Sequence, residues 1–145
     1  TGRRAIYGHG MHLSEREWRA IASSGTAISH CPTSNLFLGS GLFRWDRAKK
    51  PGRPVEVGLA TDVGGGTTLS FLRTMGEAYK VAQLAGTSMP AAHAFWVATQ
   101  GGARALDLSD PKRELARARR FLGQDEDGWD LARVPRARSL PAPTS

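Results

Sequence analysis

The chain has 145 residues and a mass of 15.6 kDa, the size of one ordinary domain. Hydrophobic residues make up 40% and charged residues 23% of the chain, a composition that excludes wholesale disorder. The sequence contains no run of about 18 apolar residues, the length that a membrane-spanning helix needs, so a membrane partner is not expected. The formal net charge is +7, and Cys31 is the only cysteine, so an internal disulfide is excluded and the expected location is a reducing cytoplasm.

An apolar run at residues 5–7 predicts a first strand, because it is rich in strand-forming side chains. Ser14 and Glu17 have the spacing of a capping box, which predicts that a helix begins there. Gly25 can take the left-handed conformation that ends such a helix. The apolar face of this helix is predicted to consist of Trp18, Ile21 and Ala22.

A second strand is predicted at residues 26–30, and Pro32, which lacks a backbone donor, takes the chain out of the sheet. The polar, glycine-containing segment 33–41 predicts a loop whose apolar residues pack against the protein. A short helix is predicted at residues 42–50 and a third strand at residues 55–60. The order so far is strand, helix, strand, loop, helix, strand.

A glycine-rich loop at residues 63–68 follows the third strand, and two helices are predicted after it, at 69–84 and 90–106. Pro90 suits the first position of the second of these helices. The apolar face of the first is predicted to consist of Leu72, Met75, Tyr79 and Ala82.

Three successive strand–loop–helix units predict an α/β fold with a parallel sheet. His9, His30 and Asp62 each lie where a predicted strand ends. The carboxyl ends of parallel strands share one edge of the sheet, which is where such folds bind ligands and carry out chemistry. This edge is therefore the candidate active site.

The last part of the chain departs from this pattern. Residues 1–110 carry a net charge of +4 and residues 111–145 carry +3, so a quarter of the chain holds nearly half of the excess charge. Prolines, arginines and an acidic run replace the apolar periodicity, which predicts a basic, disordered or irregular tail with at most a helical turn or two at 114–122. Only Phe121 and Trp129 could stack on bases there, so a nucleic-acid partner is not favoured.

Four motifs of the chain closely resemble those of guanine deaminases, a family in the zinc amidohydrolase superfamily. The resemblance runs from about residue 4 to residue 108, with the motifs in the family's order. The motifs are His9-Gly10-Met11-His12-Leu13-Ser14, His30-Cys31-Pro32-Thr33-Ser34-Asn35-Leu36, Thr61-Asp62-Val63-Gly64-Gly65-Gly66 and Leu72-Arg73-Thr74-Met75.

This resemblance implies an enzyme that hydrolyses guanine to xanthine and ammonia, with zinc as its cofactor. It also implies a (β/α)8 TIM barrel, which needs about 200–250 residues. Residues 1–110 would then form a partial barrel, with parallel strands six to eight and their flanking helices. We therefore expect this chain to be a fragment.

The same resemblance implies roles for two strand-end residues. Asp62 would end strand eight, bind the metal and take the proton of the attacking water, while His9 would end strand six and contact both guanine and the attacking hydroxide. The segment 30–35 would shape the pocket after strand seven. Zinc lowers the pKa of bound water to about 7, and a nearby histidine can steady negative charge, so these residue types suit the reaction.

Other parts of the family's metal site have no counterpart in this sequence. In the family, a His-x-His pair and a further histidine bind the metal, and a glutamate acts in catalysis. A catalytic zinc needs about three protein ligands, so we expect this chain alone to be inactive and to bind zinc weakly. Three strands also leave an open sheet edge, which predicts self-association.

The remaining candidate residues receive structural interpretations. His12 is predicted to be solvated, His30 to support its loop, Cys31 to be a buried, unreactive thiol, and His93 to pack in a helix. The run 64–66 lacks the Lys-Ser/Thr ending of a phosphate-binding loop and is predicted to give backbone clearance.

Three alternative functions stay open from the sequence. The chain could belong to another amidohydrolase, of the nucleoside deaminase or chlorohydrolase type. It could be a non-enzymatic basic binding module, whose affinity would fall steeply with salt. It could also be the remnant of an interrupted gene with no activity of its own.

Overall fold

The computed structural model describes residues 1–108. The predictions for the basic tail, including the helical turns at 114–122, lie outside the described residues. Within residues 1–108, no helix combines the length and the apolar character that a membrane crossing requires.

The predicted α/β fold with a parallel sheet is confirmed. Ile6 pairs with Ala27 and Ile28 pairs with Val57, so the central strand is hydrogen-bonded on both sides by parallel neighbours. The strands of this sheet are β1 (Ile6–Gly8), β2 (Ala27–His30) and β3 (Val57–Leu59). They lie side by side in the same order as in the sequence.

Helices connect and follow the strands, as alternating units require. Within residues 1–108, the last three helical segments run on from one another, and the middle one is a π-helical turn (Val97–Gly101). The α-helices are α1 (Glu15–Ser24), α2 (Pro32–Phe37), α3 (Trp45–Ala48), α4 (Phe71–Leu84), α5 (Ala91–Trp96) and α6 (Gly102–Ala105).

The predicted ends of α1 are confirmed in atomic detail. The Ser14 hydroxyl accepts a hydrogen bond from the Glu17 backbone N–H, and the Glu17 carboxylate accepts one from the Ser14 backbone N–H at 2.7 Å. Gly25 ends the helix with a φ of 70°. Trp18 and Ile21 are buried on the predicted face and fix α1 against the core.

The loop predicted at residues 33–41 is wrong over its first half, because Pro32–Phe37 forms α2. Pro32 ends the sheet as predicted, but its fixed φ also suits the first position of a helix, so one residue ends β2 and begins α2. The expected packing of the apolar side chains is also wrong for Phe37 and Leu38, which are 70% and 62% exposed.

The buried face of α4 differs from the predicted one. Leu72 and Tyr79 are exposed, whereas Ala82 is buried as predicted. Small residues let a helix approach its neighbours closely, and here they form the packed stripe in place of the larger apolar ones. The buried residues of α4 are Thr74, Ala78, Val81 and Ala82.

The helices after Pro90 pack their backbone directly on β3. Pro90 is the N-cap of α5 and not its first helical residue. A Cβ added to Gly101 would lie 2.7 Å from the Val57 carbonyl oxygen, and one added to Gly58 would lie 3.1 Å from the Cα of Gly102. Glycines on both sides therefore permit the close contact that fixes β3.

His30 lies in an aromatic cluster of the core. Its ring stacks on Phe43 with 4.6 Å between centroids and meets the edge of Trp45 at 5.4 Å. Neither ring nitrogen has a hydrogen-bond partner in the described part of the chain. Burial, together with the nearby His9, lowers the pKa of His30 to about 3, so the ring is neutral in the folded protein.

Burial of a neutral His30 predicts a loss of stability in mild acid. The unfolded chain binds a proton at this ring below its ordinary pKa of about 6.5, whereas the folded chain does not until about pH 3. The contribution of the neutral His30 ring to stability is therefore fully present above about pH 6.5, and the free energy of unfolding falls by about 1.4 kcal/mol for each pH unit below it. Urea denaturation at pH 7, 6 and 5 gives the free energy of unfolding at each pH, and its decrease towards pH 5 should be smaller for His30→Gln than for wild type.

The control is the exposed His12→Gln, in which the free energy of unfolding should decrease with pH as in wild type. An equal decrease in His30→Gln and wild type would contradict this account.

Candidate active site

The strand ends bring together the two side chains that the sequence singles out. His9 follows β1 and Asp62 follows β3, and the His9 Nε2 lies 3.9 Å from the Asp62 Oδ2. The His9 N–H donates to the Ser29 carbonyl oxygen and the Ala60 N–H to the His30 carbonyl oxygen, so the parallel ladder extends to the edge of the site. The two side chains are 44% and 37% exposed, which leaves the site open to solvent.

Both residues have backbone conformations that side chains other than glycine rarely adopt. The φ angle is 70° at His9 and 49° at Asp62. Such a conformation costs about 1–3 kcal/mol and persists only where surrounding contacts enforce it, most often at functional sites. The chain turns sharply at each strand end and leaves both side chains at the same edge.

The glycine-rich loop after β3 closes tightly around Asp62. The Asp62 carbonyl oxygen accepts hydrogen bonds from the N–H groups of Gly65 and Gly66, and the Thr33 hydroxyl donates to the Thr61 carbonyl oxygen at 3.0 Å. A Cβ on Gly66 would overlap that same Thr61 oxygen. The backbone clearance predicted for this run is therefore needed at Gly66.

The sequence reasoning named Asn35 only as the last residue of the pocket-shaping segment 30–35 and gave it no role of its own. Asn35 is 2% exposed, and its Oδ1 lies 2.8 Å from the His9 Nδ1. A segment predicted as a loop gave no reason to expect a buried amide there. The usable signal was Pro32, since a helix that begins at this proline buries Asn35 in its first turn.

Cys31 lies beside these residues and completes a group of three donor atoms. The His9 imidazole, the Cys31 sulfur and an Asp62 carboxylate oxygen all lie within 4.8 Å of one another. Burial raises the pKa of the Cys31 thiol, the hydrogen bond with Ser29 lowers it, and the Asp62 charge raises it; the net shift is upward. The thiol donates to the Ser29 carbonyl oxygen at 3.4 Å, in agreement with the predicted buried, unreactive thiol.

The donor set fits zinc, which binds imidazole, carboxylate and thiolate ligands. Among the described residues, the Asp62 carboxylate and the His9 Nε2 are the accessible members of the group, and Cys31 is buried. A protonated, buried thiol is a poor ligand because the metal binds the thiolate. Asp62 and His9 are therefore the two members of this group that a metal ion could reach from solvent.

His12 and His93 also stand outside this group. His12 is exposed, as predicted, and its Nε2 lies 2.8 Å from the Ser40 carbonyl oxygen. His93 meets the edge of Trp45 with 5.4 Å between ring centroids, and burial lowers its pKa. The predicted packing role of His93 agrees with this contact.

Comparison with known proteins places the whole described region in one family. Residues 2–116 match the Amidohydrolase family. The chain is 47% identical over 110 residues to guanine deaminase of Escherichia coli strain K12, an alignment that covers 76% of this chain and 25% of that enzyme. A solved structure of E. coli guanine deaminase superposes with a TM-score of 0.73 over the same shares. The chain thus spans about a quarter of the length of the relatives it matches.

Two further solved structures are similar to the chain. Guanine deaminase from C. acetobutylicum, solved with guanine in its active site, is 29% identical, with a TM-score of 0.63 over 70% of this chain and 26% of that one. An adenosine deaminase from Xanthomonas campestris, solved with bound zinc, is 31% identical, with a TM-score of 0.67 over 75% and 25%.

The crowding at Gly66 predicts that a single methyl group disturbs the loop that holds Asp62. Gly66→Ala should lower the free energy of unfolding by about 1–3 kcal/mol, because the added Cβ meets the Thr61 carbonyl oxygen and the Thr33 hydroxyl. Urea denaturation measures this change. The matched control is Gly76→Ala in α4, where open space surrounds the added methyl and the better helix propensity should raise stability by up to about 1 kcal/mol. An undiminished stability of Gly66→Ala would contradict the described loop.

Proposed function

The chain belongs to the amidohydrolase family, and we propose that it forms part of the active centre of a guanine deaminase, which hydrolyses guanine to xanthine and ammonia. Its three parallel strands would be strands six to eight of the barrel, and its substrate would be guanine or a closely related purine. The observation that carries the proposal is the meeting of His9 and Asp62, 3.9 Å apart, at the carboxyl edge of the sheet. The 47% identity to the E. coli enzyme over this region supports it.

Zinc would be held here by the Asp62 carboxylate, together with ligands from the remainder of such a barrel. When bound, zinc supplies a water molecule whose pKa is lowered to about 7. The bound zinc of the Xanthomonas adenosine deaminase supports this choice of metal.

The chain's own residues would act on protons and on the substrate. Asp62 would take a proton from the attacking water at a carboxylate oxygen and release it to the amino group that departs as ammonia. His9 would contact both the purine and the attacking oxygen, since its Nε2 faces the same space as Asp62. The segment 30–35 would form the wall of the pocket, because Cys31 and Asn35 lie against these two residues.

Exposed apolar surface supports the idea that further barrel units cover this chain. Tyr7 on β1 is 45% exposed, and Leu72 and Tyr79 on α4 are 74% and 48% exposed. Within the described residues, β1 pairs with β2 on one side only. A chain produced without those units would bury this edge by self-association.

The adenosine deaminase likeness favours a second candidate, an aminohydrolase that acts on a purine nucleoside. The reacting centre is similar for the two substrates, so His9 and Asp62 would keep their roles. The two candidates differ in the substrate that is turned over, and one experiment can compare them.

A chimaeric enzyme tests the proposal directly. Residues 1–108 replace the matching segment of E. coli guanine deaminase, and the formation of xanthine from guanine and of inosine from adenosine is followed by chromatography. We expect xanthine from the chimaera and little inosine. Inosine without xanthine would support the nucleoside deaminase, and a folded, zinc-loaded chimaera that acts on neither substrate would contradict both candidates.

Variants of the chimaera test the two side chains. Asp62→Asn should lower kcat/KM at least about 100-fold, because the amide cannot take up a proton. His9→Gln should lower it by a similar factor, since it removes the ring that faces the substrate. The matched controls are Glu56→Gln, an exposed carboxylate just before β3, and His12→Gln, and both should leave kcat/KM unchanged. Equal activity of Asp62→Asn and Glu56→Gln would refute the role of Asp62.

The unaided chain should lack the activity. Of the three donors near the strand ends, Cys31 is buried and its thiol pKa is raised, and His9 is proposed to face the substrate. Asp62 is then the one remaining ligand, and a single ligand does not bind zinc tightly. Dialysis of the purified chain against zinc should leave much less than one ion per chain, and incubation with guanine should give no xanthine. One tightly bound zinc together with xanthine formation would contradict this expectation.

A further inference from the structure

The hydrogen bond between His9 and Asn35 fixes more than the position of a ring. The Asn35 Oδ1 lies 2.8 Å from the His9 Nδ1. An amide oxygen can only accept a hydrogen bond, so the Nδ1 in this contact carries a hydrogen. A neutral imidazole has a single N–H group, and the Nε2 is therefore left with its lone pair.

We infer that Asn35 is a positioning residue, which holds His9 as the Nδ1–H tautomer with the bare Nε2 turned towards Asp62. The inference deepens the proposed function and rests on it for its catalytic meaning. The Asp62 Oδ2 and the His9 Nε2, 3.9 Å apart, then form a pair of acceptors that face one gap. Such a pair binds an O–H or N–H group between its members, such as water or a purine N–H, and the His9 Nε2 is a hydrogen-bond acceptor in this arrangement.

The surroundings of the two residues support this role. The His9 side chain is 44% exposed, so solvent alone would leave its ring free to turn, whereas Asn35 is 2% exposed and fixed within α2. The Asn35 backbone N–H donates to the Cys31 carbonyl oxygen, and its carbonyl oxygen accepts from the Ser40 N–H. The backbone of Asn35 is thus held by hydrogen bonds on both sides, and its side-chain oxygen contacts the His9 Nδ1.

Burial of this amide has a cost that a purely structural residue would avoid. Within residues 1–108 the Asn35 Nδ2 has no hydrogen-bond partner, although it is buried. An unpaired buried donor costs about 1–3 kcal/mol, and an apolar side chain of similar size would avoid it. The feature that an apolar side chain at this position would lack is the hydrogen bond to His9.

His12 supplies an internal control with the opposite expectation. Its Nε2 lies 2.8 Å from the Ser40 carbonyl oxygen, which also can only accept. The hydrogen of His12 is therefore on Nε2. The structure assigns opposite tautomers to two histidines three residues apart.

Long-range ¹H–¹⁵N correlation spectra of the full 145-residue chain, labelled at histidine, distinguish the two tautomers directly. The spectra are recorded at pH 8 with a chelator present, and His→Gln variants assign the signals. We expect Nδ1–H for His9 and Nε2–H for His12. A His9 that carries its hydrogen on Nε2 would overturn the inference, because the Asn35 amide would then be turned the other way and donate from Nδ2.

Two variants separate positioning from packing. Asn35→Leu has no acceptor and should shift the His9 tautomer ratio about tenfold towards Nε2–H, while His12 stays as it is. Asn35→Asp keeps an acceptor oxygen and should retain Nδ1–H; it also serves if the leucine variant does not fold. A His9 tautomer that is the same in Asn35→Leu as in wild type would overturn the inference. A folded, zinc-loaded chimaera that acts on neither substrate would instead overturn the proposed function without changing the tautomer, so the two failures are distinguishable.

Discussion

The parallel register of three short strands is the constraint on which the site depends. His9 and Asp62 are 53 positions apart in the sequence, yet the pairing of β1 and β3 with the central β2 places both at one edge of the sheet. A shift of one residue in either pairing would turn the strand-end side chains to the other face. The helices after Pro90 hold β3 through the contact of Gly101 with the Val57 carbonyl oxygen, so a contact remote from the site helps to fix its geometry.

Local costs accumulate around this edge, and the packed core beneath it sustains them. His9 and Asp62 have left-handed backbones, Asn35 has an unpaired amide donor in the described region, and His30 is buried as a neutral ring between aromatic side chains. Each feature is unfavourable for the local segment taken alone. A stable protein keeps such features where a function requires them, and here all of them lie at or next to the carboxyl edge of the sheet.

The sequence predicted the features that depend on local chemistry. The capping box of Ser14 and Glu17, the left-handed Gly25 and the break in the sheet at Pro32 follow from backbone hydrogen bonding and φ preferences, and all three are present in the structure. Parallel order then allowed the meeting of His9 and Asp62 to be predicted. The roles given to these two residues came from resemblance to a family and not from their spacing.

What the sequence missed depends on tertiary contacts. The packed face of α4 contains Thr74 and Ala78. Their small side chains let the helix lie close to its neighbours, so side-chain size as well as hydrophobicity determines which face is buried. Asn35 was missed for a related reason, since the helix that buries it was predicted as a loop. A proline that ends a strand can also begin a helix, and the choice between these outcomes depends on the space beside β2.

The central claim is that Asp62 binds the metal at the carboxyl edge of this sheet, with His9 across the gap. The most direct measurement is anomalous diffraction at the zinc edge from crystals of the chimaeric enzyme. The account predicts a peak about 2.0–2.2 Å from an Asp62 carboxylate oxygen, the distance of a zinc–carboxylate bond, with the His9 Nε2 facing the same gap. A zinc peak whose ligands do not include Asp62 would contradict it.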